Sequence, residues 1–259
     1  LTLLPIIGLT QISGLPPELR DIGIEEKLGD RVPIDITFLN ENGETVSLGD
    51  FFSKGKPVII TPIYFECPML CNLIINGLTD GMKELNWTAG NQFEIITFSI
   101  DPNEGFELAA QKKESYIRLL GKPEAAEGWH FLTTDQQNID RLTETLGFKF
   151  RWSDQAQEFL HGSAIMFISP EGQITRYLYG IDYPQLSLRN ALFDAAEGKI
   201  GTVMDKVVLY CYTYDPDSRS YVASAVNIMK LGGLATLIGL SIFLGLLWFR
   251  KNTSKTTNV

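Results

Sequence analysis

Pro57-Val58-Ile59-Ile60-Thr61-Pro62-Ile63-Tyr64-Phe65-Glu66-Cys67-Pro68-Met69-Leu70-Cys71-Asn72, running into a helical pattern from Leu73 to Leu85, is the stretch on which the fold turns. Val58 to Tyr64 is a continuous apolar run, as in a strand covered on both faces. Pro62 predicts a bend or fraying there, because proline cannot donate to a ladder. A helix is expected from about Cys67 to Asn86. Residues four apart share a helix face, so both sulfurs would meet on one turn. The unpaired N–H groups and positive dipole end of a helix start favour thiolate over thiol. Two close thiolates at a strand–helix junction can form a disulfide or hold a soft metal ion. No other stretch offers comparable chemistry.

Outward from this unit the pattern continues. Ile34 to Leu39 alternates, Asn40-Glu41-Asn42-Gly43 signals a turn, and Thr45 to Leu48 returns, which predicts an N-terminal hairpin. Phe93 to Ile100 is a second apolar strand, completing a β-α-β unit with parallel strands and a right-handed crossover. Glu104 to Leu120 reads as a helix, Trp129 to Leu132 as a short strand, and Asp135 to Leu146 as an amphipathic helix stopped by Gly147. Ala164 to Ser169 and Gln173 to Tyr179 flank Pro170-Glu171-Gly172 as a hairpin, and Gln185 to Glu197 is the closing helix.

Cys67-Pro68-Met69-Leu70-Cys71, Asp101-Pro102 after a strand, and His161 ahead of another strand together resemble the SCO/SenC family. The likeness runs from about Gly23 to Tyr221 and includes Gly128-Trp129-His130-Phe131-Leu132 and Arg176-Tyr177-Leu178-Tyr179-Gly180. It implies an α/β, thioredoxin-like fold, copper binding and a role in cytochrome c oxidase assembly. Many members carry an N-terminal membrane helix, whereas the apolar segment here is C-terminal.

Within a thioredoxin-like topology the loop Glu158 to Ala164 would face the helix that carries Cys71, bringing His161 beside the sulfurs. Cys67, Cys71 and His161 would then form a soft-to-borderline donor set suited to Cu(I), or to Cu(II) with strong sulfur character. Calcium and magnesium want hard oxygen ligands, and structural zinc wants a fourth tight ligand. The resemblance implies that Asp101 orients the site or contacts a partner; as a residue it reads equally as a strand-end turn. Met69 is read as a packing residue, His130 as core or backbone-bonded, Glu66 as either a tuner of Cys67 or a solvated carboxylate, and Cys211 as a buried core thiol.

The formal net charge of −9 and pI near 4.8 argue against nucleic-acid binding, and three cysteines are too few for a disulfide scaffold. Leu231 to Phe249 holds no charge over nineteen residues, enough at ~1.5 Å per residue to cross a hydrocarbon core. Lys230 precedes it, and Trp248 with Arg250-Lys251 follows at the interface. Arg250, Lys251 and Lys255 beyond it, against Arg219 and Lys230 before it, place the tail in the cytoplasm and the domain outside. The expected organisation is a lead-in over 1–22 (either the remnant of a signal peptide or a mature segment lying against something apolar), the copper-binding domain over 23–198, an extension over 199–230, a membrane span over 231–249 and a tail over 250–259.

Three functions compete. One is a membrane-tethered copper carrier serving the binuclear copper site of an oxidase subunit. Another is a thiol–disulfide oxidoreductase acting on the oxidase's cysteines, and the third a resident accessory subunit of a respiratory complex. The CxxxC spacing and the distal histidine favour copper, since simple thiol exchange needs neither.

Overall fold

The computed structural model describes residues 22–196, 212–215, 220–223 and 225–253. The lead-in up to residue 21, Cys211 with most of the extension, and the tail from 254 lie outside the described residues. In chain order the elements are β1 (Gly23–Ile24), β2 (Thr37–Leu39), β3 (Thr45–Ser47), β4 (Val58–Ile63), α1 (Leu70–Glu84), β5 (Glu94–Ser99), α2 (Phe106–Leu120), β6 (Trp129–Leu132), α3 (Gln136–Thr145), β7 (Phe148–Ser153), β8 (Glu158–His161), β9 (Ala164–Ile168), β10 (Ile174–Tyr179), α4 (Gln185–Ala195), β11 (Tyr212–Asp215), β12 (Ser220–Ala223) and α5 (Ala225–Thr253). Five strands form the central sheet in the order β10-β9-β4-β5-β6. The β4–β5–β6 part is parallel, and β9 and β10 are antiparallel to their neighbours. This is the α/β, thioredoxin-like arrangement the sequence implies.

All six residues of β4 and all six of β5 are buried, which is why both read as unbroken apolar runs. Pro62 nevertheless sits in central β4 without bending it. The carbonyls of Pro57 and Ile63 accept from β5, so odd-numbered residues face β5 and Pro62 turns its nitrogen toward β9. Pairing with β9 covers only Val58 to Ile60, so no ladder bond is lost at Pro62. On one side of the sheet α1 packs closely against the segment after β10. A Cβ on Gly77 would lie 2.0 Å from the Ile181 carbonyl oxygen, and one on Gly81 would lie 2.2 Å from that of Tyr183. Only glycine lets α1 approach this near.

Two expectations need correction here. The loop expected over Glu158 to Ala164 is strand β8 for its first four residues. With β7, unassigned in the sequence, it forms a hairpin of its own, Phe150 lying opposite His161, and β7 also pairs with β1. Phe148, Phe150 and Phe159 pack along it and stabilise the added pair. The second correction is that α1 begins at Leu70, not near Cys67. Helical backbone geometry is disfavoured for a residue preceding proline, which keeps Cys67 outside the helix.

Helix α5 covers the apolar stretch singled out in the sequence and runs for 29 residues. Its side chains are described over 229–244, where Leu234, Leu237, Ile238, Leu240, Ile242, Phe243 and Leu244 are all exposed. That described part is shorter than a membrane span, and among the described residues no helix is long and apolar enough to cross a membrane.

Candidate thiol and metal site

The site lies where β4 leaves the sheet and α1 begins, at the carboxyl edge of the parallel strands. Cys67 occupies the turn before α1, and the backbone N–H of Cys71 donates to its sulfur at 3.2 Å. Cys67 Sγ thus performs the service of a helix N-cap, a position whose own residue, Met69, makes no side-chain cap. Cys71 enters on the first turn of α1. Both sulfurs belong to buried residues, and neither cysteine is in a disulfide.

His161 arrives from β8, at the end of the unforeseen hairpin. Its Nδ1 lies 2.7 Å from the Gly162 carbonyl oxygen and its Nε2 lies 3.2 Å from Cys71 Sγ. A carbonyl only accepts, so the hydrogen-bond network assigns the proton to Nδ1 and leaves the Nε2 lone pair aimed at the sulfur. Fixing one ring nitrogen on a carbonyl so that the other is free is how proteins orient a ligating imidazole. The rings of Phe148 and Tyr64 flank His161.

The electrostatics divide the two cysteines. The Cys71 side chain beside it, then the N–H groups of Cys71 and Met69, hold Cys67 down to about 3 against the pull of burial. Burial pushes the Cys71 thiol up, and the neighbouring Cys67 sulfur adds to the shift. These influences favour the thiolate at Cys67 and the thiol at Cys71. Burial, then the Cys67 sulfur, push the Tyr64 phenol up as well. By distance and angle the Tyr64 hydroxyl has no hydrogen-bond partner despite its burial.

The other singled-out residues fall around or away from this centre. Met69 is 68 % exposed, which overturns its reading as a packing residue: Cys67 and Cys71 turn inward and the side chain between them turns out. Glu66 is exposed. Asp101 accepts from the backbone and side-chain nitrogens of Asn103 at 2.9 and 2.8 Å, closing its own turn. His130 lies at the opposite edge of the sheet, its ring 4.6 Å from that of Phe51 and its Nε2 3.4 Å from the Glu94 carboxylate. Its polar partner is thus a buried side chain, not backbone.

Sequence reading passed over Glu104 and Asn72. Glu104 was assigned to the start of a helix, but α2 begins two residues later and Glu104 is buried. Its two oxygens accept the backbone N–H groups of Phe65 and Glu66, each at 2.7 Å, and Ser99 Oγ donates to one of them. Burial pushes its carboxyl above the ordinary value, with these donors opposing. Asn72 Nδ2 donates to the Cys67 carbonyl at 2.9 Å. Only the position of Glu104 just past Asp101-Pro102, at the carboxyl end of β5, hinted at a role.

A scan of family models matches SCO1/SenC over residues 25–192. The chain belongs to the SCO1/SenC family. A candidate electron transfer protein of Aquifex aeolicus VF5 is 31% identical, with a TM-score of 0.59, covering 66% of this chain and 96% of that one. A Sco-family cytochrome c oxidase assembly protein, BsSco, in which a disulfide switch was identified, is 22% identical with a TM-score of 0.52, covering 67% and 98%. Arabidopsis thaliana ScoI with copper bound is 17% identical with a TM-score of 0.50, covering 66% and 98%. The last two likenesses carry the fold. No curated protein matched the chain.

Chemically the site presents two sulfurs and an imidazole lone pair from three separate backbone positions. Among the described residues, no group of three His, Cys, Asp or Glu side chains stands as a finished metal cage. The contacts are pairwise, sulfur to amide and sulfur to imidazole. The donor set is soft enough for Cu(I) and short of the four ligands structural zinc takes.

Proposed function

We propose that the chain is a membrane-anchored copper carrier that delivers copper to, or prepares, the binuclear copper site of a cytochrome c oxidase subunit. The observation that carries this reading is the bare Nε2 of His161 facing Cys71 Sγ at 3.2 Å, its other nitrogen committed to Gly162. Thiol exchange alone has no use for an imidazole so oriented. Cys67, Cys71 and His161 would hold the copper ion, whose thiolate ligation requires both cysteines reduced. Family membership and the copper-bound Arabidopsis relative support the reading.

The anchor in this proposal is the apolar part of α5, from Leu231 to Phe249, with the domain on the extracytoplasmic side. Its support is the exposure of large apolar side chains on every side of the helix, which water does not favour. Thiol–disulfide exchange on the oxidase's cysteines is the second reading. It is favoured by the thiolate at Cys67 beside a protonated Cys71, the division of labour an exchanging pair needs.

Anaerobic Cu(I) titration of the reduced chain, with thiol counting, tests the first reading. One equivalent should bind; Cys67→Ser and Cys71→Ser should abolish binding, and His161→Ala should weaken it. Full copper stoichiometry in the double cysteine variant would overturn it.

A further inference from the structure

We propose that Glu104, backed by Ser99, and Asn72 are positioning residues that hold the Cys67 turn from outside and aim its sulfur at the first amides of α1. The proposal deepens the thiol-and-copper reading above and rests on it. Residues 64 to 69 connect a central strand to a helix without regular backbone of their own. Pro68 supplies no N–H, and Met69 makes no side-chain cap. Buried polar backbone must find partners: the Cys67 N–H donates to the Tyr64 carbonyl at 3.4 Å, and side chains from other elements serve its neighbours. Phe65 N–H and Glu66 N–H each go to one oxygen of Glu104 at 2.7 Å. The Cys67 carbonyl goes to Asn72 Nδ2 at 2.9 Å, and Asn72 Oδ1 is held in turn by Tyr116 Oη at 3.2 Å and Lys112 Nζ at 3.4 Å, both on α2. The turn is therefore tied to α2 and the junction before it on both of its backbone faces.

A buried carboxylate is costly, and an apolar residue would fill the space at less expense. What it supplies is two acceptors at fixed separation, which no apolar residue can. The consequence lies at Cys67 Sγ, whose 3.2 Å contact with the Cys71 amide depends on the orientation of the turn. That contact stabilises the reduced sulfur and is lost in a disulfide. Loosening the turn should therefore destabilise the dithiol form and lower the reduction potential. The same loss of orientation should weaken the ligand set for copper.

The experiment uses the full chain in detergent, comparing wild type with Glu104→Gln, Ser99→Ala and Asn72→Asp. Glu104→Gln keeps the shape but turns one acceptor into a donor facing an N–H group. The readouts are the Cys67–Cys71 potential by equilibration with a dithiol couple, Cu(I) affinity by chelator competition, and amide exchange at Phe65 and Glu66. Glu104→Gln should retain the wild-type circular dichroism, speed exchange at both amides, and shift the dithiol/disulfide equilibrium about tenfold toward disulfide, about 30 mV. Its Cu(I) affinity should fall about tenfold, as when the support of a ligand is removed. Ser99→Ala and Asn72→Asp should move both quantities the same way by less. Folded variants with potential and affinity within about twofold of wild type would overturn the proposal. If Glu104→Gln does not fold, the other two variants decide. If wild-type protein binds no copper, the carrier reading fails while the potential still judges the clamp.

Discussion

Replacing Cys71 by alanine should raise the pKa of Cys67 by about 1–2 units, which tests the division of charge inside the pair. Cys67 is held down to about 3 from an ordinary 9.0, and the largest lowering influence is the Cys71 side chain. The substitution removes that thiol but keeps the Cys71 backbone N–H, whose 3.2 Å contact with Cys67 Sγ does not depend on the side chain. A hydrogen bond to a charged group contributes about 1.5–3 kcal/mol. At 1.36 kcal/mol per unit, that corresponds to about 1–2 units. Thiolate ultraviolet absorbance, followed from acid to base on the reduced protein, reads the shift directly, and alkylation at mildly acidic pH reads it as a rate. The sign also fixes a stability comparison. A thiol ionising lower in the folded state contributes its full stabilisation above the unfolded value near 9 and loses it as pH falls toward 3. The stability gap between wild type and Cys67→Ala should therefore widen with rising pH across that window. A wild-type Cys67 titrating in the ordinary thiol range, or an alanine variant titrating where wild type does, would refute the reasoning.

Glu94 is buried against Lys54 at 3.2 Å and Lys56 and His130 at 3.4 Å. Burial pulls its carboxyl up, but His130 and Lys54 together hold it below the ordinary value. Glu94→Gln should cost about 1–3 kcal/mol at neutral pH by chemical denaturation, a deficit that shrinks as pH falls below the ordinary carboxylate value and the wild-type carboxyl protonates; a deficit independent of pH would show that shape, not charge, matters there. A cysteine introduced at Thr256 should resist an impermeant reagent in intact cells and react after permeabilisation, whereas labelling in intact cells would place the domain on the cytoplasmic side.

The parts legible in the sequence were those written in local periodicity. β4, β5 and α3 read cleanly because complete burial gives an unbroken apolar run and one-sided burial gives a helical stripe, and Asp135 caps α3 as its residue type suggests. The cysteine pair was visible because soft donors are rare and their spacing is short. What failed was long-range. The β7–β8 hairpin closes at Asp154 to Gln157, where Gln157 takes φ 55 with no glycine to announce the turn. His161 was singled out all the same, through resemblance, yet the strand that delivers it was not. Glu104 failed for a different reason: an acidic residue ahead of a helix ordinarily belongs to that helix's first turn. Here its oxygens reach 39 residues back along the chain to the Phe65 amide, and nothing local distinguishes the two cases. The donors of the site were thus readable from residue type, while the geometry that makes them a site comes from partners at a distance. Copper and thiol chemistry depend on the separation and orientation of three atoms. That geometry rests as much on Glu104, Asn72 and Gly162 as on Cys67, Cys71 and His161.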